Sequence, residues 1–318
     1  MRPSRAKRPL VVTIDAEAQP ARTDRAPLDH LVHGEAGAGG FGLWRILDIA
    51  DRHNATVTVF LDYAEQDVWG EGLLDVAREV RLRGHDLQVH LHPEFLARDR
   101  FEQCGLAPIR AFADASRDQI AVAVNAALEA HDAVAAPGPI AFRSGGYHVN
   151  DTLLSVLCAE GVTLDTSFVP AKHASAARGT TGRPFRWTNG LTELPVGGVP
   201  RFRNLDYPKA YNFNATFLLR GGAGGFDAAT TAQRHAEFSE TFWQTEGRQT
   251  PLVLVMHSWS LLRRGSDGRF GDGSELAAEA LDLVLDRAKM EGSILSVAAI
   301  AERYEKAPLP LAVLHRTT

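Results

Sequence analysis

Short apolar runs alternate with amphipathic stretches along almost the whole chain. Pro9–Asp15 is apolar up to a terminal carboxylate and predicts a buried strand. Phe41–His53 carries Leu43, Ile46, Leu47, Ile49 and Ala50 at helical spacing. Ala55–Leu61 predicts a second strand, Glu71–Arg83 an amphipathic helix ended by Gly84, and Asp86–Leu91 a third strand. Ser116-Arg117-Asp118-Gln119 has the form of a capping box and opens a helix through Ala133. Pro139–Phe142 predicts a short strand, and Asn150 is placed to cap a helix over 151–160 that Gly161 closes. Further strands are expected at Val162–Ser167, Leu191–Val196, Leu252–Met256 and Ile294–Val297, with helices at Thr230–Gln244 and Ser274–Met290. Such alternation implies a mainly parallel sheet. Seven or eight of these units in 318 residues point to an α/β fold closed as a (β/α) barrel rather than an open sheet. With no internal repeat and no low-complexity linker, a single domain over residues 1–318 is expected. Ala16–Gly40 and Gly198–Ala229, the latter with Gly221-Gly222-Ala223-Gly224-Gly225, read as long loops of the kind that build a substrate cleft.

Chemistry collects at the strand ends. In Gly84-His85-Asp86-Leu87-Gln88-Val89-His90-Leu91-His92-Pro93, residues two apart face the same side, so His90 and His92 project together as a natural ligand pair for a divalent metal. Asp15 and Glu17 stand at the end of the first strand, and His257 closes Leu252-Val253-Leu254-Val255-Met256. Parallel α/β proteins assemble metal sites this way, from the carboxyl ends of several strands. Gly37-Ala38-Gly39-Gly40-Phe41-Gly42 fits the GxGxxG pattern, but the polar, broken segment Asp29–Glu35 precedes it where a dinucleotide fingerprint needs a buried strand. It reads instead as a loop leading into a helix cap.

Composition narrows the function classes. A formal net charge of −5 offers no general affinity for nucleic acid or anionic membranes, and the basic start (Arg2, Arg5, Lys7, Arg8) is short. No apolar run reaches the length of a membrane span or a signal segment. The two cysteines, Cys104 and Cys158, form no CxxC, so a reducing, cytoplasmic setting is expected.

The series Thr13-Ile14-Asp15-Ala16-Glu17, Gly84–His90, Phe142-Arg143-Ser144-Gly145-Gly146-Tyr147, Asp165-Thr166-Ser167-Phe168 and Leu254-Val255-Met256-His257 resembles, in order, the five motifs of the polysaccharide deacetylases. This is the NodB-homology superfamily, or carbohydrate esterase family four, and the resemblance runs from about residue 9 to residue 300. It implies a distorted (β/α) barrel and a metal-dependent hydrolase that removes acyl groups from amino sugars. It further implies Asp15 as the catalytic base and an acid beside it as a metal ligand. Glu17 takes the latter place in a D-x-E spacing where many members have adjacent aspartates. His90 matches the first metal histidine. The second usually lies four residues on, where this chain has Glu94; His92, two residues on, is the candidate here and Glu94 the reserve. By the same resemblance Arg143 orients the base, the backbone N–H of Tyr147 is the oxyanion donor, His257 is the general acid, and Asp165 orients His257.

These residue types suit the reaction. Water is a poor nucleophile and an amide a poor electrophile; a metal held by imidazole and carboxylate answers both needs. A carboxylate takes the proton, and a nearby cation keeps that carboxylate ionised. Gly145-Gly146 lets backbone approach closely. Each residue also has an ordinary structural explanation: a loop acid for Glu17, a surface salt bridge for Arg143, a tight turn for 144–147, a strand-end cap for Asp165, a core histidine for His257. Trp259, Phe168 and Trp187 could floor a sugar site or fill the core. One divalent ion is expected, zinc first, with nickel, cobalt or iron chemically acceptable. The substrate expected is an N-acetylated or N-formylated saccharide or conjugate. The alternatives are a non-sugar amide such as a cyclic ureide or imide, or a non-catalytic carbohydrate-binding protein with a degenerate site.

Overall fold

Burial on both faces explains why the strands read as unbroken apolar runs. Val11, Val12 and Ile14, like Val253, Leu254, Val255 and Met256, are fully buried. The computed structural model describes residues 8–35, 40–173, 182–198, 201–202, 205–206, 211–213 and 227–314. The glycine-rich pattern at 37–39, most of the expected loop 198–229 with its glycine run, and Arg2, Arg5 and Lys7 lie outside the described residues. In chain order the strands are β1 (Arg8–Ala16), β2 (Thr58–Asp62), β3 (Asp86–Leu91), β4 (Ala141–Ser144), β5 (Leu164–Asp165), β6 (Phe185–Trp187) and β7 (Thr192–Glu193). They continue with β8 (Arg201–Phe202), β9 (Leu205–Asp206), β10 (Leu252–His257), β11 (Leu262–Arg264), β12 (Phe270–Gly273), β13 (Gly292–Ile294) and β14 (Leu311–Ala312).

The chain divides into two compact units, one of residues 1–57 with 197–296 and one of residues 58–196 with 297–318. In the first, β1 pairs in parallel with β10, from Leu10 opposite Leu252 to Asp15 opposite His257, and with β13 through Arg8–Leu10. Helices Leu43–Arg52, Ala228–Glu246 and Glu275–Glu291 pack here, and Asp227 and Ser274 cap the last two through the backbone N–H groups of Thr230 and Ala277. β11 and β12 form an antiparallel hairpin.

In the second unit β2, β3, β4, β5 and β7 run parallel in that order, β6 adds antiparallel to β7, and β14 pairs parallel with β6. Helix Arg117–Asp132 packs on β3 and on helix Asp151–Ala159. Its capping box is present as expected: Ser116 accepts from Gln119 N while Gln119 accepts from Ser116 N. Asn150 caps the next helix through Leu153 N. The ladders among the described residues do not close on themselves.

Several elements differ from the sequence expectation. The strand at 294–297 stops at Ile294, and Val297 instead begins helix Val297–Tyr304. Its first N–H groups are taken by Thr58 Oγ1 (2.8 Å) and Asp86 Oδ2 (2.9 Å), which serve as a helix start in place of a ladder. The segment 16–40 is not an open loop: it holds a 3₁₀ turn, Pro20–Arg22, and a π-helical segment, Leu28–His33. There buried His30 bonds Thr23 Oγ1 and the carbonyl of Gly271. The β5 and β7 ladders are only two residues each, and β6, the β11–β12 hairpin and β14 are too short to announce themselves by periodicity.

Candidate active site

Titratable side chains gather at the carboxyl ends of parallel strands in each unit. In the first, the β1–β10 register sets Asp15 beside His257. Asp15, Glu17 and His257 each offer a ligand atom within 4.8 Å of the others. The crossing is pinned by backbone: Ser258 N donates to Asp15 O at 3.0 Å, and Ser258 Oγ to Glu17 O at 3.3 Å. Asp15 and Glu17 are buried, while His257 is partly exposed and stacks on Trp259 at 4.9 Å and 17°. Gln19 Nε2 donates to Glu17 Oε2, and Arg22 Nε donates to Gln19 Oε1 at 2.6 Å, so a relay through a short turn holds the Glu17 carboxylate.

In the second unit, β3 presents His90 and His92 as alternation requires, with ring centroids 5.0 Å apart and planes at 81°. His90 Nδ1 lies 2.8 Å from the carbonyl of Arg143 on the neighbouring strand. A carbonyl only accepts, so Nδ1 carries the hydrogen and Nε2 the lone pair. His92 Nδ1 lies 2.9 Å from Glu94 Oε1, which fixes the same tautomer. Glu94 is thus the orienting partner of His92. The ring of His92 sits where a side chain on Gly145 would have to be: a Cβ there would come within 2.5 Å of it. Gly145 is required by that close approach. Gly146 (φ 64°) and Tyr147 (φ 57°) both adopt the left-handed conformation that shapes the turn after β4, and Lys172 Nζ donates to the carbonyl of Gly146 at 2.5 Å.

Arg143 is fully buried, which removes the surface-salt-bridge explanation. Its guanidinium lies 4.3 Å over the Phe60 ring and donates through Nε to Thr166 O at 3.3 Å. Asp165 is also buried. Ser167 Oγ donates to it at 2.7 Å, and Glu193 stands opposite it in the β5–β7 register. Burial pushes the Asp165 carboxyl up to about 6. Burial and the adjacent Asp165 push the Glu193 carboxyl up as well, far above its ordinary range. The Glu193 oxygens accept from Phe168 N (3.0 Å) and Trp187 Nε1 (2.9 Å). Phe168 and Trp187 are core, packed on each other and on Phe185, and so they are not a substrate floor. Glu193 was missed in the sequence; its signal was a lone acid inside the apolar run Leu191–Val196. The Gln19–Arg22 relay gave no sequence signal.

Among the described residues no helix is long and apolar enough to cross a membrane. No protein-family model and no curated protein matches the chain. Solved structures do. One, from Mycobacterium smegmatis and provisionally named a polysaccharide deacetylase, matches at 19% identity with a TM-score of 0.65, over 100% of this chain and 97% of its own. The structure of Puue allantoinase matches at 14% identity with a TM-score of 0.58, over 95% of this chain and 92% of its own. The likeness covers the chain from end to end, and it shows that the chain shares the α/β fold of these two structures, as the resemblance to polysaccharide deacetylases implied.

Proposed function

We propose that this chain, acting as a single catalytic domain, is a metal-dependent hydrolase that removes an N-acetyl or N-formyl group from an amino sugar or saccharide conjugate. The observation that carries the reading is the shared tautomer of His90 and His92. Each commits Nδ1 to an oxygen acceptor and so presents Nε2 as a ligand, the arrangement that metal-binding histidines adopt. His90 and His92, with a carboxylate from Glu17 or Asp15, would hold one divalent ion, with zinc the first choice for imidazole and carboxylate donors. Such an ion supplies a Lewis acid that polarises the acyl carbonyl and acidifies water.

The protein groups have the following roles. Asp15 takes the proton of the attacking water. Arg143 orients that base. The N–H of Tyr147, on its left-handed turn, donates to the oxyanion. His257, partly exposed at the end of β10, protonates the departing amine, and Asp165 supplies the negative charge that orients it. The exposed Cys104 and half-buried Cys158 are both free thiols, in keeping with a reducing, cytoplasmic setting.

Elemental analysis of the purified chain beside a His90→Ala/His92→Ala double variant tests the metal assignment. About one ion per wild-type chain and none in the variant is expected, together with loss of amine release from N-acetyl sugars. Equal metal content in the two proteins would overturn it and favour a non-catalytic carbohydrate-binding protein. The allantoinase likeness gives weight to a second reading, the same chemistry on a cyclic ureide or imide. Release screened over N-acetyl sugars and cyclic amides separates the two.

A further inference from the structure

Arg22 is built into the carboxylate cluster of the first unit without taking part in an ion pair. Its guanidinium lies 5.0 Å over the ring of Trp259, the same ring that stacks on His257. Its Nε is committed to Gln19 Oε1, and Gln19 in turn holds Glu17. The ring contact and this single bond hold the guanidinium in place. Its two terminal nitrogens hydrogen-bond to nothing among the described residues. Arg264, at the end of β11, has its Nε on the carbonyl of Gly268 (3.1 Å) and likewise makes no ion pair among the described residues. Burial pushes the Arg22 pKa down, Glu17 opposes this, and the charge of Arg264 adds to it. Elsewhere on the same segments, arginines are neutralised: Arg25 pairs with Asp272 at 2.7 Å and Arg269 with Asp24. Two guanidiniums on these segments without carboxylate partners among the described residues, one of them half-buried against Trp259, offer a receptor for a planar oxyanion.

We propose that Arg22, assisted by Arg264, is an anion subsite beside the carboxylate–histidine cluster, and that the substrate carries a carboxylate or similar oxyanion close to the amide that is cleaved. The terminal nitrogens of Arg22 take the two oxygens side by side, and Arg264 adds charge. The subsite separates acidic N-acyl substrates from neutral ones. This rests on the hydrolase reading for the meaning of "substrate", but its binding test does not need turnover.

The test compares the binding of N-acetylmuramic acid and N-acetylglucosamine, which differ by a lactyl carboxylate, to the metal-loaded full chain by calorimetry at two salt concentrations. About a tenfold tighter Kd for the acid is expected, shrinking at high salt. The ratio should collapse towards one in Arg22→Gln and fall part of the way in Arg264→Gln. Arg264→Gln alters a residue on an exposed hairpin and carries the test if Arg22→Gln does not fold. Equal affinities, no measurable binding of either sugar, or a preference that survives in the folded variants would overturn the subsite. A preference without amine release would keep the subsite and remove the hydrolase reading. Amine release without a preference would do the reverse.

Discussion

Two pairs of titratable residues in the second unit, His90 with the half-buried His92 and the buried Asp165 with Glu193, are held in opposite ways. Each imidazole gives its Nδ1 hydrogen to an oxygen that the fold has already positioned, the Arg143 carbonyl or the Glu94 carboxylate. Each therefore carries its lone pair on Nε2. The carboxyl pair instead receives donors: Ser167, Phe168 N and Trp187 donate to its oxygens, and the two acids stand opposite each other on adjacent strands. The lesson is that burial alone does not mark a reactive group. What matters is whether the surrounding hydrogen bonds consume the lone pairs or direct them.

The largest expected effect on this contrast is in the pH dependence of stability. Asp165 in the fold ionises near pH 6, above its unfolded value of 3.8, so between these pH values the native state holds a proton that the unfolded chain has lost. The pair thus costs stability as pH rises from about 4 to 6. His131 (about 4), His173 (about 4) and His235 (about 3) lie below their unfolded value of 6.5 and act in the opposite direction, so the clean measurement is a difference. In Asp165→Asn/Glu193→Gln, stability relative to wild type is expected to climb between pH 4 and pH 7, by about 3 kcal/mol from Asp165 alone and further from Glu193, read from denaturant midpoints. A flat difference would show that burial does not raise these two carboxyls.

The histidine pair should be sensitive at its orienting groups. Glu94→Ala is expected to weaken metal affinity by about 10–100-fold, measured by competition with a chelating dye, while leaving the fold intact. Unchanged affinity would mean that His92 does not need Glu94 to present Nε2. The smallest effect is expected at Trp187→Phe, which keeps the aromatic packing but leaves Glu193 Oε2 without its indole donor. A loss of roughly 1 kcal/mol in thermal or denaturant unfolding is expected, with metal content unchanged. A loss of metal in that variant would show that the carboxyl pair supports the histidine pair.

The sequence by itself determined the strand–helix alternation, the caps at Ser116 and Asn150, and the two histidines on one face of β3. These follow from local rules: period, capping geometry and alternation act over a few residues and leave a readable trace. Asp15 beside His257 was legible only as two acid- or base-terminated apolar runs; the parallel register of β1 and β10 made them neighbours. The tertiary structure alone decided what surrounds each group. Glu94 became a partner of His92, Asp165 was paired with Glu193, and Phe168 and Trp187 went to the core. It also turned Val297 into a helix start, because Thr58 and Asp86, more than 200 residues away in sequence, supply the acceptors there. Such choices depend on hydrogen-bond partners brought together by folding, and no window of neighbouring residues contains them.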